Sequence, residues 1–546
     1  MPEPSPSAAE NTPKTGKKAA QLVDESPQPI REKSAKTVES DSVSTPSWLT
    51  KVGKLAKVHM AMAIVLAVGV ALRVLIDITY RSAFYFSDTE GYFVFAGKMQ
   101  PSAIRPYGYS LLLNMWQWTG SIWPIVITQQ ILGLACGIAL YAFILRKGGP
   151  RWLAVLAAAP IVLDAYALVL EHYLLADTLF IFLLLGGYLA VMWEDKLSVK
   201  FAIVGGLFFA AALVTRTVGL PLVALIGLYV LIRRVGWKPI FALAAAAGLP
   251  LIGYLMWFNH YNGQYSFSTW QDRWMYGRVM SIADCSELKL NAAERKLCQR
   301  ADEPYAYEVD FYVWSHNSPI NDKKTGVTRK DSYTFVGKVV SQQPGDFAKL
   351  VATETWAYFS PSFYIHHEEP KGTTCPMMWR FPAKISDPSC TPRPVQDSHL
   401  HENVPGPGGK LTGYSGAWPG EIPEGWFSKK ATFLNKYGGV GVTPGPLLFL
   451  GLLLIAALPF VKPRKGGAWR LRGDALLLGF SAFALLVGAI ATSQFDIRYG
   501  APILVLIPPG AALAYLALRN IFAAPPTNDP QQPVAPARKT TEKLSA

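Results

Sequence analysis

The sequence predicts an all-α polytopic membrane protein of about ten transmembrane helices, with an α or α+β extracytoplasmic domain inserted between spans seven and eight. Hydrophobic residues make up 51% of the 546 residues and charged residues only 16%, a balance that soluble globular proteins rarely show. Several apolar runs approach the roughly 20 residues that a helix needs to cross a bilayer. These two observations predict the fold class.

The net charge of +14 arises largely in the short loops between apolar runs. Lysine and arginine cluster within 146–151, 233–238 and 462–472, and such an excess in short loops indicates that these loops are cytoplasmic. No basic segment interleaved with aromatic residues stands out, so nucleic-acid binding is not expected. The predicted location is the plasma (inner) membrane, with both termini in the cytoplasm.

The order of apolar and polar segments predicts five regions. Residues 1–50 are rich in Pro, Ser, Lys and Glu and form a disordered cytoplasmic tail, and 521–546 form a second one. Residues 51–258 hold spans one to seven, 259–442 form the extracytoplasmic domain, and 443–520 hold spans eight to ten. An amphipathic piece at 109–118 is expected along the membrane interface. The ten spans are predicted at 59–78, 122–145, 152–170, 178–193, 201–215, 218–232, 239–258, 443–461, 475–493 and 501–518.

The five cysteines fall into two groups. Cys136 lies inside an apolar span and is expected to be a packed, inert thiol. Cys285, Cys298, Cys375 and Cys390 lie in the extracytoplasmic segment, where disulfides with three possible connectivities are expected. The local pairs 285–298 and 375–390 are favoured. Zinc ligation is less expected, because no CxxC spacing occurs.

Ionisable residues near membrane depth collect on one predicted side, the outer face. Carboxylates alternating with arginines in one layer favour a site for an anionic, amphiphilic molecule, because a guanidinium group binds phosphate oxygens in pairs. The alternative is a set of solvated loop charges, with Arg498 and Tyr499 as an interfacial anchor pair. The residues of this layer are Asp88, Glu90, Lys98, Arg105, Glu171, His172, Asp177, Arg216, Asp496 and Arg498.

Five motifs recur along the chain in a fixed order. They are Asp88 with Glu90; Arg105-Pro106-x-Gly108-Tyr109; Glu171 followed by Asp177-Thr178-Leu179-Phe180; Thr215-Arg216-x-x-Gly219-Leu220-Pro221; and Asp496-x-Arg498-Tyr499-x-x-Pro502. Together they resemble the GT-C membrane glycosyltransferases, in particular the branch of protein O-mannosyltransferases and the aminoarabinose transferase of lipid A. The resemblance covers roughly 59–258 and the last two spans, and it leaves out 259–442.

This resemblance implies a hexosyl- or pentosyltransferase that takes a sugar from a polyprenyl-phosphate carrier. The acceptor would be a glycan, lipid or protein outside the cytoplasm. Asp88 falls at the first-loop acidic position that the family uses as catalytic base. Glu90 is the second catalytic candidate, but it lies two residues further on and is not adjacent to Asp88, which departs from the family's pattern.

The residues favour the same chemistry without the family. A lipid-phosphate leaving group needs little protonation, so the reaction needs a carboxylate to deprotonate the acceptor and cations to offset charge on the phosphate. Asp88 is the candidate base, and one displacement would invert the anomeric centre. Glu171 and Asp177 could orient hydroxyl groups or bind a divalent cation, whereas His172 is more simply a hydrogen-bonded residue than a metal ligand. The candidates for substrate or carrier binding are Lys98, Arg105, Tyr109, Glu171, His172, Asp177, Arg216, Arg498 and Tyr499.

Two alternatives stay open at this stage. A transporter or flippase of a lipid-linked saccharide would want polar residues near the membrane midplane and an internal repeat; Asp164 is almost the only acid well inside a span, and no repeat is evident. A membrane scaffold would leave the outer-face charges without a role. Trp270, Trp274 and Trp314 could line a sugar or lipid groove, although core packing is the simpler interpretation.

Overall fold

The computed structural model describes residues 57–80, 83–298, 309–361, 381–382, 393–394, 429–462 and 469–522. These residues belong to one compact unit that spans 56–546. Most of them are helical, and the β-structure among them is confined to one isolated bridge and to the antiparallel pairing of β1 Phe84–Tyr85 with β2 Arg393–Pro394. The predicted tail at 1–50 lies outside the described residues, as does the predicted tail at 521–546 apart from its first two residues, which end the helix Ile507–Phe522.

The described helices are named here in chain order. The first ten are α1 Met60–Thr79, α2 Ser87–Lys98, α3 Gly108–Trp116, α4 Trp123–Arg146, α5 Arg151–Leu163, α6 Ala165–His172, α7 Asp177–Met192, α8 Val199–Thr215, α9 Leu220–Ile232 and α10 Trp237–Asn262. The others are α11 Gln271–Met280, α12 Ala292–Leu297, α13 Val309–Trp314, α14 Arg329–Gln342, α15 Pro344–Ala357, α16 Lys429–Val440, α17 Gly445–Ala456, α18 Trp469–Thr492 and α19 Ile507–Phe522. Short 3-10 helices lie at Gln117–Thr119, Thr217–Gly219, Lys323–Thr325, Leu458–Phe460 and Ile497–Val505.

Six helical segments in the described part of the chain are long and apolar enough to cross a membrane, and a bent helix pair would make seven. This supports a multi-pass membrane protein. Predicted spans four, five and six coincide with shorter apolar helices, Asp177–Met192, Val199–Thr215 and Thr217–Ile232. The count of ten spans therefore stays a prediction. The six segments are Met60–Thr79, Trp123–Arg146, Trp237–Asn262, Lys429–Phe460, Trp469–Thr492 and Ile497–Arg519.

Predicted span three is not one straight helix. It breaks at Asp164 into α5 and α6, whose axes differ by 44°. The Asp164 carboxylate accepts hydrogen bonds from the backbone N–H groups of Tyr166 and Ala167, and so caps the start of α6. Its second oxygen accepts from the Thr443 N–H at 2.6 Å. A buried acid can therefore sit inside an apolar run because it replaces the backbone hydrogen bonds lost at the bend.

The helices between 271 and 347 enclose a second hydrophobic core, separate from that of the membrane helices. Tyr276, Leu297, Tyr312 and Phe335 are buried at its centre. A disulfide between Cys285 and Cys298 closes one side of this core, which confirms that predicted pair. The predicted pair of Cys375 and Cys390 lies outside the described residues. Cys136 is buried and free, as predicted for a packed thiol.

The two ends of the helix bundle differ in chemistry. At one end, the fully buried Asp474 of α18 pairs with Lys147 at 2.8 Å and with Arg233 at 2.9 Å. Both cations belong to loops that the charge pattern predicts to be cytoplasmic. Thr492, at the other end of α18, is about 27 Å further along the helix axis, at 1.5 Å of rise per residue. A large cavity lies at that opposite end.

Candidate active site

A large open cavity of about 1020 Å³ lies where the membrane helices meet the helices of the second core. Four parts of the chain line it: the segment after α1, the turn between α8 and α9, the helices of 268–354, and the end of α18 with the 3-10 helix after it. Asp88, Arg105, Arg216, Arg498 and Tyr499 all line this cavity. The structure thus brings together five site residues that the sequence predicted from four separate motifs.

Asp88 is held between two arginines. Its Oδ1 accepts a hydrogen bond from Arg105 Nη2 at 2.5 Å, and its Oδ2 accepts one from Arg498 Nη1 at 2.8 Å. Burial raises the pKa of the Asp88 carboxyl, but the charges of Arg498 and Arg105 outweigh it and hold the pKa below its ordinary value. The carboxylate is therefore fully ionised in the free protein.

The start of α2 fixes the position of Asp88. The Thr89 hydroxyl accepts a hydrogen bond from the Phe86 N–H and donates one to the Leu174 carbonyl. These bonds tie the first turn of α2 to the segment between α6 and α7. An acid in this turn also interacts favourably with the positive end of the helix dipole. Asp88 therefore lies at a helix start that is held both by its own capping bond and by a bond to a distant part of the chain.

Arg498 is oriented before any ligand arrives. Its Nε donates to Asp496 Oδ2 at 2.6 Å, and Asp496 Oδ1 accepts from the Arg498 N–H at the start of the 3-10 helix. The guanidinium carbon also lies 4.9 Å from the centre of the Phe86 ring. Asp496 thus aims Arg498 at Asp88, and one guanidinium group bridges the two carboxylates.

Arg216 forms the third cationic group at the cavity. It pairs with Asp177, the first residue of α7, and its guanidinium carbon lies 5.3 Å from the centre of the Tyr499 ring. Asp177 is buried and does not line the cavity. The predicted role of Asp177 in contacting substrate is therefore replaced by a positioning role, because its carboxylate is directed at Arg216.

Three predicted site residues point elsewhere. Glu90 is exposed on α2 and does not line the cavity. Lys98 is exposed at the end of α2, with its ammonium group 5.9 Å from the centre of the Phe95 ring. Tyr109 is fully buried, and its hydroxyl donates to Gln129 Oε1 at 2.9 Å. Glu90 comes two residues after Asp88, so on a helix its side chain projects from a different face.

Glu171 is also outside the cavity, because it is bound to an arginine that the sequence analysis passed over. Arg73, within the apolar run of α1, donates from Nε and Nη2 to the two Glu171 oxygens, each at 2.7 Å. Both side chains are almost fully buried. Gly133 leaves room for this pair, since a Cβ there would lie 1.8 Å from Glu171 Oε1. The pair joins α1 to α6, and Glu171 is not available to a substrate in the cavity.

His172 lies beside this ion pair and away from the cavity. Its Nε2 is 3.1 Å from the Tyr80 carbonyl oxygen, and its ring packs edge-on against Phe84. Among the described residues, no group of three or more His, Cys, Asp or Glu side chains is placed to hold a metal ion. Glu171 and Asp177, predicted as possible cation ligands, are each bound to an arginine.

The second core supplies further cavity residues. The sequence left a groove open for Trp274 and Trp314 but favoured core packing, whereas both line the cavity; Asp310 was not predicted as a site residue. Asp310, Trp274 and Trp314 line the cavity, as does the ion pair between Arg278 and Glu354. Asp310 is open to the cavity, but partial desolvation by the surrounding protein raises the pKa of its carboxyl above the ordinary value, although a hydrogen bond with the Gln494 side chain opposes this. Asp310 and Trp314 are four residues apart in the sequence, and this spacing predicts that they share one face if the segment is helical.

Comparison with protein families, with curated proteins and with solved structures finds no match for this chain. Its function is therefore inferred from the residues around the cavity.

Proposed function

We propose that this protein is an integral membrane glycosyltransferase that moves a sugar from a polyprenyl-phosphate carrier to an extracytoplasmic acceptor. The observation that carries this proposal is a single carboxylate, Asp88, clamped between Arg105 and Arg498 at the wall of a large cavity at one end of the helix bundle. Arg216 lies at the same cavity. Motifs that resemble those of GT-C enzymes supply all four residues, which further supports the proposal.

The arrangement suits one in-line displacement. The acceptor oxygen forms a bond to the anomeric carbon while the bond from that carbon to the phosphate oxygen breaks, and the anomeric centre inverts. The acceptor proton goes to Asp88, and the bonding electron pair leaves with the polyprenyl phosphate. Arg105, Arg216 and Arg498 offset the charge that grows on the phosphate. Each guanidinium group can offer a parallel pair of N–H donors to two phosphate oxygens, a fixed planar geometry that the ammonium group of a lysine lacks.

Donor binding also changes the basicity of Asp88. In the free protein the two arginines lower the pKa of Asp88, which makes it a weak base. A phosphate that binds Arg105 and Arg498 competes for the same N–H groups and neutralises their charge. The pKa of Asp88 then rises, because its burial is no longer outweighed by the two cations. The base therefore becomes active only when the donor is in place.

One observation favours the alternative of a lipid-saccharide transporter. Arg73 and Asp77 lie within the first membrane-spanning helix, and ionisable groups at that depth often mark a transport path. However, Arg73 is occupied by Glu171 and by the carbonyl oxygens of Gly69 and Val162. This pattern is that of a structural link between helices, so we favour the transferase.

The proposal is tested by transfer of radiolabelled sugar from polyprenyl phosphate, with the purified full-length protein in lipid nanodiscs. Asp88→Asn keeps the shape of the side chain and removes its basicity, so we expect turnover to fall by about two to four orders of magnitude. Asp346→Asn is the matched control, because Asp346 is also an acid in the first turn of a helix but is exposed and outside the cavity. Its turnover should stay within about a factor of two.

Unchanged turnover in Asp88→Asn would remove this carboxylate from the mechanism. Wild-type protein that moves the intact lipid-linked sugar across the bilayer, with no cleavage of the sugar–phosphate bond, would instead establish the transporter.

A further inference from the structure

Helix α13 presents two chemically different side chains to the cavity. Asp310 and Trp314 are four residues apart, so they lie on one face of the helix, and both line the cavity. Trp314 is 41% exposed, although the neighbouring residues Tyr312 and Val313 are fully buried. The helix therefore packs through one face and leaves an aromatic ring and a carboxylate directed at the open space.

A second tryptophan extends this surface. Trp274 of α11 lines the cavity, and its ring centre lies 6.0 Å from that of Trp314, with the two rings at 85° to each other. Trp270 packs on Trp314 with ring centres 4.9 Å apart, which supports the Trp314 ring from beside it. Two indole rings at right angles form a corner, which we call the aromatic corner (Trp274 and Trp314).

The aromatic corner is close to the proposed reacting groups. The guanidinium carbon of Arg105 lies 5.9 Å from the centre of the Trp314 ring, and the same guanidinium group donates to Asp88. Only one side chain therefore separates Trp314 from the proposed base. A molecule that stacks on Trp314 could place a hydroxyl group within reach of Asp88.

We infer that the aromatic corner and Asp310 form the acceptor subsite, and that the acceptor is a saccharide. The apolar face of a pyranose or furanose ring, made of C–H groups, stacks on an indole ring. Its hydroxyl groups donate hydrogen bonds to a carboxylate such as Asp310, and these charge-assisted bonds are the strong ones. The cavity wall formed by the second core thus offers both an aromatic surface and a hydrogen-bonding carboxylate for a sugar ring. This inference rests on the proposed function, which it extends by naming the acceptor class.

A saccharide fits this wall better than the other two acceptor classes. An acyl chain would leave the Asp310 carboxylate desolvated without a hydrogen-bond partner from the ligand, which is unfavourable. An extended peptide is commonly held by main-chain hydrogen bonds to an exposed strand edge, and in the described part of the chain no residue of this wall lies in a strand.

The test measures saccharide binding in the absence of any donor. The probes are linear trisaccharides of hexoses and of pentoses, in α and β linkage, and one Ser/Thr-rich peptide. Binding to the full-length protein in nanodiscs is followed by saturation-transfer difference NMR. We expect at least one trisaccharide to bind, with saturation strongest on the C–H face of one ring, and Trp314→Ala to weaken that binding by about tenfold or more. Trp314→Phe should keep part of the affinity.

Trp118→Ala is the matched control, because Trp118 is 80% exposed and outside the cavity, and it should leave saccharide binding unchanged. Asp310→Asn should weaken binding by about threefold to tenfold, since one charge-assisted bond becomes a neutral one. The inference is overturned if no trisaccharide in the panel binds, if the peptide alone binds and depends on Trp314, or if Trp314→Ala and Trp118→Ala behave alike. Failure of the transferase itself would appear separately, as the absence of sugar transfer from polyprenyl phosphate.

Discussion

At the scale of single residues, Asp88 occupies the place that a phosphate would take between Arg105 and Arg498. Replacing this competing anion with a neutral amide frees the N–H donors of both arginines. We therefore expect Asp88→Asn to bind polyprenyl phosphate about tenfold more tightly than wild type, although it loses turnover. Equilibrium binding of a fluorescent polyprenyl phosphate to protein in nanodiscs measures this directly.

Substitution of the cationic residue Arg498 should change lipid binding in the opposite direction and serves as the control. Arg498→Gln should weaken binding of the same lipid, because it removes a charge and a pair of donors from the phosphate site. Weaker binding in both variants would mean that the phosphate binds elsewhere in the cavity.

The same ion pairs predict how stability depends on pH. The pKa of Asp88 is lower in the folded protein than the ordinary carboxylate pKa of about 3.9. The stabilisation by its ion pairs is therefore fully present above that ordinary pKa and is lost as the pH falls through the folded pKa. We expect the melting temperature of wild type to exceed that of Asp88→Asn by a constant amount from pH 8 to about pH 5, and the difference to shrink towards pH 3. A difference that grew on acidification would contradict these ion pairs.

The sequence was informative about the charged residues at the cavity and less so about their neighbours. Asp88, Arg105, Arg216 and Arg498 could be placed together because each follows a membrane span on the same side, and topology alone then confines them to one layer. Glu171 also follows a predicted span on that side, but its carboxylate is bound by Arg73. This partner was not predicted, because Arg73 lies inside an apolar run. The partner of a buried charge depends on helix packing, which hydropathy does not report.

At the scale of elements, the close approach of α3 to the end of α8 holds the cavity wall together. A Cβ at Gly108 would lie 2.4 Å from Thr215 Oγ1 and 2.7 Å from the Val214 carbonyl oxygen. Gly108→Ala must therefore push the start of α3 away from α8, and with it Arg105 from Arg216. We expect a loss of about 1–3 kcal/mol in the free energy of unfolding, with reduced sugar transfer.

Gly227→Ala provides the matched comparison for Gly108→Ala. Gly227 lies within α9, and a Cβ there would meet no heavy atom within 4 Å. Its melting temperature in detergent should equal or exceed that of wild type, because alanine favours the helix. Equal melting temperatures for the two variants would show that the contact between α3 and α8 is looser than described.

The disulfide between Cys285 and Cys298 is the covalent element of the second core. It closes a loop across 13 positions, for which the loss of unfolded-chain entropy corresponds to about 3 kcal/mol. We expect Cys285→Ser/Cys298→Ser to unfold the second core at a lower urea concentration, as measured by pulse proteolysis. In the presence of reductant, wild type and the double variant should have the same midpoint.

The double variant also tests the pair predicted at Cys375 and Cys390. Once the first disulfide is removed, any further effect of reductant on the unfolding midpoint must come from other cysteines. A midpoint of the double variant equal to that of oxidised wild type would contradict a stabilising role for the first disulfide.

Hydropathy located the elements well but not their internal breaks. Each of the ten predicted spans coincides with a helix or with a pair of helices, because an apolar run has to satisfy its backbone hydrogen bonds within itself. The bend at Asp164 was not predicted. The sequence does not show whether a single acid in an apolar run caps a new helix or faces a cavity. For Asp164 the difference depends on a hydrogen bond from the distant Thr443 N–H.

At the scale of the whole molecule, the sequence predicted a multi-pass helical protein but left the relation between its two cores open. Residues 259–442 showed no recognisable motif, and the only sign that α11 and α13 could form part of the cavity wall was the alternative placing of Trp274 and Trp314 in a groove, which was the less favoured one. Their contribution arises from packing between the second core and the ends of the membrane helices. Composition constrains which segments are buried, whereas it does not say which surfaces of two cores meet.

The orientation of the protein in the membrane decides whether the proposed chemistry is possible. One end of the helix bundle carries the ion pairs of Asp474 with Lys147 and Arg233, and the other end carries the cavity. A lipid-linked donor is needed only on a side of the membrane where nucleotide sugars are absent. We therefore predict that the cavity faces the outside. Lys349 is exposed on α15, the helix whose Glu354 lines the cavity. Lys196 is exposed between α7 and α8, next to Asp195, whose carbonyl oxygen accepts from Arg233 at the basic end. A membrane-impermeant maleimide applied to intact cells should label Lys349→Cys and not Lys196→Cys, and both should be labelled after lysis. The reverse pattern would place the cavity in the cytoplasm, where Asp88 would meet nucleotide sugars and the proposal of a polyprenyl-phosphate donor would lose its basis.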